Sequence, residues 1–188
     1  CIWIRICRIL SITLYYKPND GAPMHPHQDV DIVSFIPNGE IGHEGTIGHG
    51  TTIKGPGVQV QRAGTGLQHA EFNLTNQRTD LVQIWFLPPK RGLTPEYRDI
   101  ALEQGRMTTV LGGSDGTFES EMTCQIGLLN PGQTAGTRHR FVAFLSDGEA
   151  IANGEPAKAG DIIEGDALEL ETQSGCNLVL IQFTETFQ

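Results

Sequence analysis

Residues 29–43, DVDIVSFIPNGEIGH, set the reading of the whole chain. Val30, Ile32, Val33 and Phe35 are β-branched or aromatic, the residue types that suit a half-buried pleated surface. Asn38-Gly39 follows, and both residues tolerate positive φ, so the segment predicts a hairpin in which residues 40–43 return as the partner strand. The same rhythm continues outward in both directions. Turn signals stand at Gly48 to Gly50, Gly55-Pro56-Gly57 and Gly64-Thr65-Gly66, and residues 82–87, with Trp85 and Phe86, read as a buried strand closing a first lobe. Pro88-Pro89 and Gly92 then interrupt the chain, and residues 95–104 are the one place where a short helix is expected, as a connector. Beyond it, strands are expected at 125–129, 141–145, 167–172 and 178–183, separated by Asn130-Pro131-Gly132, Asp147-Gly148 and Asn153-Gly154. Short strands between turns with almost no helical periodicity predict an all-β sandwich or barrel.

A faint internal repeat supports two similarly built lobes. Phe35-Ile36-Pro37-Asn38-Gly39-Glu40-Ile41 recurs as Phe144-Leu145-Ser146-Asp147-Gly148-Glu149-Ala150, an offset of 109, and Pro56-Gly57 recurs as Ala159-Gly160 at an offset of 103. Two matches in the same order favour duplication.

Composition narrows the function classes. The 188 residues suffice for one large or two small cores, and 13 Lys plus Arg against 22 Asp plus Glu give a net charge of −9. That average field repels a phosphate backbone, which argues against direct nucleic-acid binding. Cys1, Cys7, Cys124 and Cys176 form no CxxC pair, as suits reduced thiols and a cytoplasmic location. Residues 1–16 are apolar but carry Arg5 and Arg8, so they read as one or two strands or an atypical start, with neither a membrane span nor a signal-peptide cleavage site.

The chemistry is carried by His25-Pro26-His27 and His69-Ala70-Glu71. Residues i and i+2 of a strand share a face, so each pair aims two donors at one point. Either pair alone is more often an ordinary surface strand, but together they predict a mononuclear metal site. Imidazole and carboxylate without thiolate suit iron(II), manganese, nickel, cobalt, copper or zinc and leave coordination positions open. Pro26 cannot donate a ladder hydrogen bond, which places it on an edge strand or strand start. Projecting the four donors through the repeat lands on Thr134, Gly136, Thr172 and Ser174, so one metal per chain is expected. His139 reads as a surface or packing residue, His43 as a half-exposed strand histidine rather than a contact near the metal, and Trp85 and Phe86 as core.

These motifs resemble a known family. His25-Pro26-His27, the stretch from Asn38 to His43, Gly55-Pro56-Gly57-Val58-Gln59, Ala63 to Glu71, Gln83-Ile84-Trp85 and Thr94-Pro95-Glu96-Tyr97 together are similar to the pirin family of bicupins. The specific likeness covers about residues 23–98; residues 105–188 match only the general pattern of a degenerate second cupin lobe. The resemblance implies two β-barrel lobes of the jelly-roll type, with residues 17–98 as the metal-bearing lobe, 99–188 as the degenerate one and 1–16 unassigned. It also implies a start several tens of residues later than in complete members, hence a truncated N-terminal barrel.

For function, the resemblance implies iron(II) held by His25, His27, His69 and Glu71. It implies a quercetin 2,3-dioxygenase activity in which an aromatic flavonol and O₂ meet at the metal and Glu71 is both ligand and base. Other members are non-enzymatic regulators acting through protein partners, and a cupin without metal is the third alternative; no membrane partner is implied. Arg62, Ala70 and His49 depart from the family pattern, which leaves pocket polarity and substrate open.

Overall fold

In the computed structural model, residues 2–6 and 9–183 are described, with side chains from Tyr15 onward. Cα packing divides the chain into two compact units, Cys1–Ala101 and Leu102–Gln188. Every regular element among the described residues is a strand. The all-β expectation therefore holds, and residues 1–16 contribute two strands, although Cys1, where the reading of an atypical start falls, lies outside the described residues. So does Cys7; Cys124 and Cys176 are buried free thiols.

Unit 1 contains β1 (Ile2–Ile6), β2 (Ile9–Tyr16), β3 (Gly21–His27), β4 (Asp31–Ile36), β5 (Glu40–Gly45), β6 (Thr51–Lys54), β7 (Gly57–Arg62), β8 (Leu67–Asn73), β9 (Thr79–Phe86) and β10 (Glu96–Ala101). They form a six-stranded sheet in the order β1-β2-β9-β4-β7-β10 and a four-stranded sheet in the order β3-β8-β5-β6. All pairings are antiparallel. On β8 the alternation is plain: Leu67, His69, Glu71 and Asn73 are buried while Gln68 is exposed, so the polar donors point inward.

Two local expectations are corrected. Asn38-Gly39 does not close a hairpin, because β4 pairs with β7 and β9 whereas β5 pairs with β6 and β8. The turn instead carries the chain from one sheet to the other. Gly39 is needed there: its φ is +77°, and an added Cβ would collide with Thr79 Oγ1. Residues 95–104 are not helical; β10 pairs along β7, from Glu96 opposite Arg62 to Ala101 opposite Gly57. A ten-residue helix is marginal on its own, and the open edge of β7 offers a full ladder of hydrogen bonds instead.

Unit 2 contains β11 (Arg106–Leu111), β12 (Met122–Leu129), β13 (Thr134–Thr137), β14 (Phe141–Asp147), β15 (Glu149–Ala152), β16 (Glu155–Lys158), β17 (Ile162–Gly165), β18 (Leu168–Thr172) and β19 (Cys176–Phe183). Its sheets run β11-β12-β19-β14-β17 and β13-β18-β15-β16, the order of unit 1 without a counterpart of β10. Register then fixes residue equivalence. Ser34 lies opposite Gln59 and Gln83, as Ala143 lies opposite Ile163 and Leu180. Ile41 and His43 lie opposite Asn73 and Glu71, as Ala150 and Ala152 lie opposite Thr172 and Leu170.

This corrects the projected positions in the second lobe. The 109-residue offset holds for β4 and β5, but shorter loops reduce it to 99 at β8, so the counterparts of His69 and Glu71 are Leu168 and Leu170. Likewise Thr137 faces Leu168 as His25 faces His69, displacing the projected Thr134 and Gly136. Inner positions that are Ser34, His43, His69, Glu71 and Gln83 in unit 1 are Ala143, Ala152, Leu168, Leu170 and Leu180 in unit 2. All five of the latter belong to one apolar core cluster. At these five positions unit 2 keeps the fold and replaces polar side chains with hydrocarbon.

Candidate metal centre

β3 is an edge strand, as suits Pro26, and among the described residues pairs only with β8. A bulge between Ala22 and His25 interrupts the ladder, and His25 comes to lie directly opposite His69, with His27 opposite Leu67. Bulges of this kind re-aim side chains beside functional sites. The result is a group of three imidazoles, His25, His27 and His69, whose ligand nitrogens all lie within 4.8 Å of one another. Their ring centroids are 4.5 to 4.9 Å apart.

Hydrogen bonds orient the rings. His25 Nδ1 sits 2.7 Å from the Pro23 carbonyl oxygen, which can only accept, so the proton is on Nδ1 and Nε2 carries a free lone pair. That Nε2 is 3.1 Å from Nε2 of His69. The Nε2 atom of His27 is buried without a hydrogen-bond partner. A buried lone pair left unpaired is costly unless something occupies the space in front of it. Three imidazole nitrogens converging in this way, with no cysteine in the group among the described residues, fit a divalent first-row ion. Burial, reinforced by the neighbouring histidines, lowers His27 to a pKa of about 4 and His69 to about 3, so both are neutral and able to ligate well below pH 6.5.

Glu71 lies outside that trio. It is buried on the same face of β8, and both carboxylate oxygens accept from Gln83 Nε2, at 3.4 and 3.1 Å, while Gln83 also donates to Ser34 Oγ at 3.2 Å. Burial raises its pKa to about 7 against the opposing hydrogen bonds from Gln83 and Ser34. A carboxyl group so placed exchanges a proton near neutrality.

Several residues at the centre were not expected from sequence. His43 is 0% exposed rather than half-exposed, with Nδ1 2.9 Å from the Gly48 oxygen and Nε2 3.3 Å from His69 Nδ1. Trp85 packs edge-on to His27 at 5.0 Å between centroids, and its Nε1 donates to Gln83 Oε1. Tyr97 stacks at 5.3 Å on His43 and shares a 2.7 Å hydrogen bond with Thr51. Gln61 Nε2 lies 3.1 Å from His69 Nδ1. The signal that could have found the glutamines is the V-Q-V-Q run at residues 58–61 together with V-Q-I at 82–84, where amides recur in otherwise apolar strands. An open surface depression lined by Pro26, His27, Gln28, Thr46, Gly66, Leu67 and Gln68 borders His27.

The three departures from the family pattern are placed as well. Arg62 forms a bidentate ion pair with Asp31 at 2.8 and 2.6 Å, Ala70 lies on the face of β8 opposite to His69 and Glu71, and His49 accepts from the Gly45 amide in a loop.

A family profile for pirin matches residues 13–86. A Mycobacterium bovis protein, named as a proposed quercetin 2,3-dioxygenase, is 30% identical over 165 residues, which cover 77% of this chain and 68% of the relative. The chain belongs to the pirin family. A pirin-like protein of Caulobacter vibrioides is 42% identical over 81 residues, 43% of this chain and 34% of the relative. The quercetin 2,3-dioxygenase of Escherichia coli is 30% identical over 129 residues, 58% and 54% of the two chains. The chain spans from 34% to 45% of the length of the first curated relatives it matches.

Among solved structures, the bacterial pirin YhhW of Escherichia coli, in complex with nickel(II), superposes with a TM-score of 0.82 at 19% identity, covering 98% of this chain and 95% of that one. A quercetin 2,3-dioxygenase of Acinetobacter baumannii superposes with a TM-score of 0.71 at 21% identity, covering 96% and 77%. At such identities the likeness establishes the shared fold, and with it the expected bicupin class of this pirin.

Proposed function

We propose that this pirin is a metal-dependent dioxygenase that opens the central ring of a flavonol such as quercetin, with iron(II) held by His25, His27, His69 and Glu71. The observation that carries the reading is the convergence of three imidazoles on a buried, unpartnered His27 Nε2. Relatives named quercetin 2,3-dioxygenase and a structural neighbour that holds nickel(II) support it. When bound, the ion supplies Lewis-acid polarisation of a substrate oxygen and a template that brings substrate and O₂ together.

The chain's own residues then divide the work. Glu71 takes the proton of the flavonol hydroxyl, a role suited by a pKa raised to about 7. Gln83 holds the Glu71 carboxylate in place and is itself anchored by Ser34 and Trp85. The aromatic substrate approaches over the open depression that borders His27. Free, buried Cys124 and Cys176 support a cytoplasmic setting. Among the described residues no helix is long and apolar enough to cross a membrane.

The test is O₂ uptake by iron-loaded protein supplied with quercetin. Uptake that needs metal and disappears in His69→Ala is the expected result; no uptake above the metal-free control would overturn the reading and leave a binding role through a protein partner.

A further inference from the structure

We infer that His43 is a positioning residue for the metal centre: it accepts the Nδ1 proton of His69 and thereby keeps His69 Nε2 free to ligate. The inference rests on the metal reading of the three histidines and is independent of the reaction catalysed.

Gly48 sets the tautomer of His43. Its carbonyl oxygen lies 2.9 Å from His43 Nδ1 and has no proton to offer, so Nδ1 of His43 must donate. A neutral imidazole that donates from Nδ1 carries its lone pair on Nε2. That Nε2 lies 3.3 Å from His69 Nδ1 in a buried pair, and the contact is favourable only when His69 Nδ1 bears the proton. His69 Nε2 is then bare and faces the bare Nε2 of His25 at 3.1 Å. A chain of donors runs from His69 through His43 to the Gly48 carbonyl and fixes which nitrogen of His69 is available. A ligating histidine commonly needs this support, since an acceptor on the far nitrogen sets both ring orientation and tautomer.

The loop is built to hold that carbonyl. Gly48 has φ +61°, and a Cβ there would collide with the Tyr97 ring, which itself stacks on His43. The Gly48 oxygen also accepts from Thr51 Oγ1 at 2.8 Å. Tyr97, Thr51 and Gly48 thus form one packed support behind His43.

Gln61 offers the competing arrangement. With its Nε2 donating to His69 Nδ1 at 3.1 Å, the His69 proton would sit on Nε2, and the two facing nitrogens of His43 and His69 would both be bare. That arrangement also leaves Gln61 Oε1 buried without a partner. Half a turn of the amide removes the first fault, because Oε1 then joins His43 Nε2 in accepting from the same N–H, and the amide atom in the unpartnered position becomes Nε2.

The register is consistent with this pairing. The counterpart of His43 in unit 2 is Ala152, and the counterpart of His69 is Leu168. The donor and its support are absent together where the histidine pair is absent.

The experiment compares wild type, His43→Phe, which fills the site without an acceptor, and His43→Gln, which restores an acceptor oxygen. Ring-nitrogen NMR of metal-free protein should place the His69 proton on Nδ1 in wild type and His43→Gln, and shift it toward Nε2 in His43→Phe. Cobalt(II) affinity, read by chelator competition and by the visible d–d spectrum, should fall about 10- to 100-fold in His43→Phe and recover to within several-fold in His43→Gln. Far-UV circular dichroism confirms that each variant is folded. A wild-type His69 protonated on Nε2, or a His43→Phe protein with unchanged tautomer and cobalt affinity, would overturn the inference. If no variant including wild type binds cobalt, the metal reading fails while the NMR still decides the His43–His69 relation.

Discussion

His25 and His69 sit directly opposite each other across the β3–β8 ladder, with Nε2 atoms 3.1 Å apart. Two such nitrogens with His27 Nε2 beside them form a site in which a cation replaces repulsion between lone pairs with three bonds. Wild-type protein purified without chelator should therefore carry close to one metal per chain by elemental analysis, and His69→Ala should carry none. Because an ion that binds only the folded state stabilises it by mass action, about 2.7 kcal/mol at a hundredfold excess over Kd, the thermal midpoint should rise with free metal in wild type and stay flat in His69→Ala. A metal content untouched by His69→Ala would place the ion elsewhere.

The metal-free protein should show a pH optimum of stability set by groups of opposite sign. Glu71 has its folded pKa raised from 4.5 to about 7. It is protonated in both states below pH 4.5. As pH rises from 4.5 through 7 the unfolded chain ionises first, so stability falls, by roughly 3 kcal/mol at about 1.4 kcal/mol per pKa unit. His27 and His69 have folded values lowered from 6.5 to about 4 and 3, so stability is lost as pH falls below 6.5 and only the unfolded chain takes up protons. With two histidines rising against one carboxylate falling, these groups together give a maximum near pH 6.5. Urea midpoints between pH 4 and 8.5 check this. The Glu71→Gln protein should lose the alkaline decline, and a stability difference from wild type that fails to widen between pH 5 and 7.5 would show that Glu71 is not buried as described.

The Arg62–Asp31 pair makes a prediction about structure alone. Asp31 is fully buried, burial pushes its pKa up against the opposing pull of Arg62, and the guanidinium supplies a bidentate bond between directly paired strand residues. Removing one partner leaves a buried, uncompensated carboxylate, so Arg62→Met should destabilise unit 1 by about 3 to 5 kcal/mol. The double change Arg62→Met with Asp31→Leu should recover much of that loss, because a well-packed apolar pair often replaces a buried ion pair at little cost. Denaturant unfolding followed at Trp85 measures both; a single variant within 1 kcal/mol of wild type would count against the bidentate pair.

Much of the fold was legible because β-strand sequence is local. The apolar runs at β4, β9, β14 and β19 and the glycine turns between them sit where the pattern of residues places them. Pro26 announced the edge strand for the same reason. What stayed hidden depends on partners distant in sequence. Whether Asn38-Gly39 joins neighbours in one sheet or passes between sheets is decided by β7 and β9, not by the turn. The strand at β10 exists because β7 offers an edge. The same limit applies at the candidate metal centre: spacing points to His25, His27 and His69, whereas His43 acquires its place only through Gly48 and a cross-strand histidine 26 positions away. The loop lengths that differ between the lobes moved the apparent counterparts of His69 and Glu71 to Thr172 and Ser174, four residues beyond the leucines that register assigns.

Those leucines allow the polar interior to be tested as a unit. Leu170 stands where unit 1 has Glu71, with Leu180 and Ala143 where unit 1 has Gln83 and Ser34. Leu170→Glu puts a carboxyl group among hydrocarbon with no donor to receive it, so unit 2 should lose several kcal/mol at pH 7.5 and less at pH 5, where the group is held neutral. Adding Leu180→Gln and Ala143→Ser rebuilds the amide and hydroxyl that hold Glu71, and should return part of the lost stability. Hydrogen exchange of the β18 and β19 amides reads the change in unit 2 itself. A triple variant less protected than Leu170→Glu alone would mean that the Gln83 and Ser34 bonds do not support the buried carboxyl group in unit 1 either.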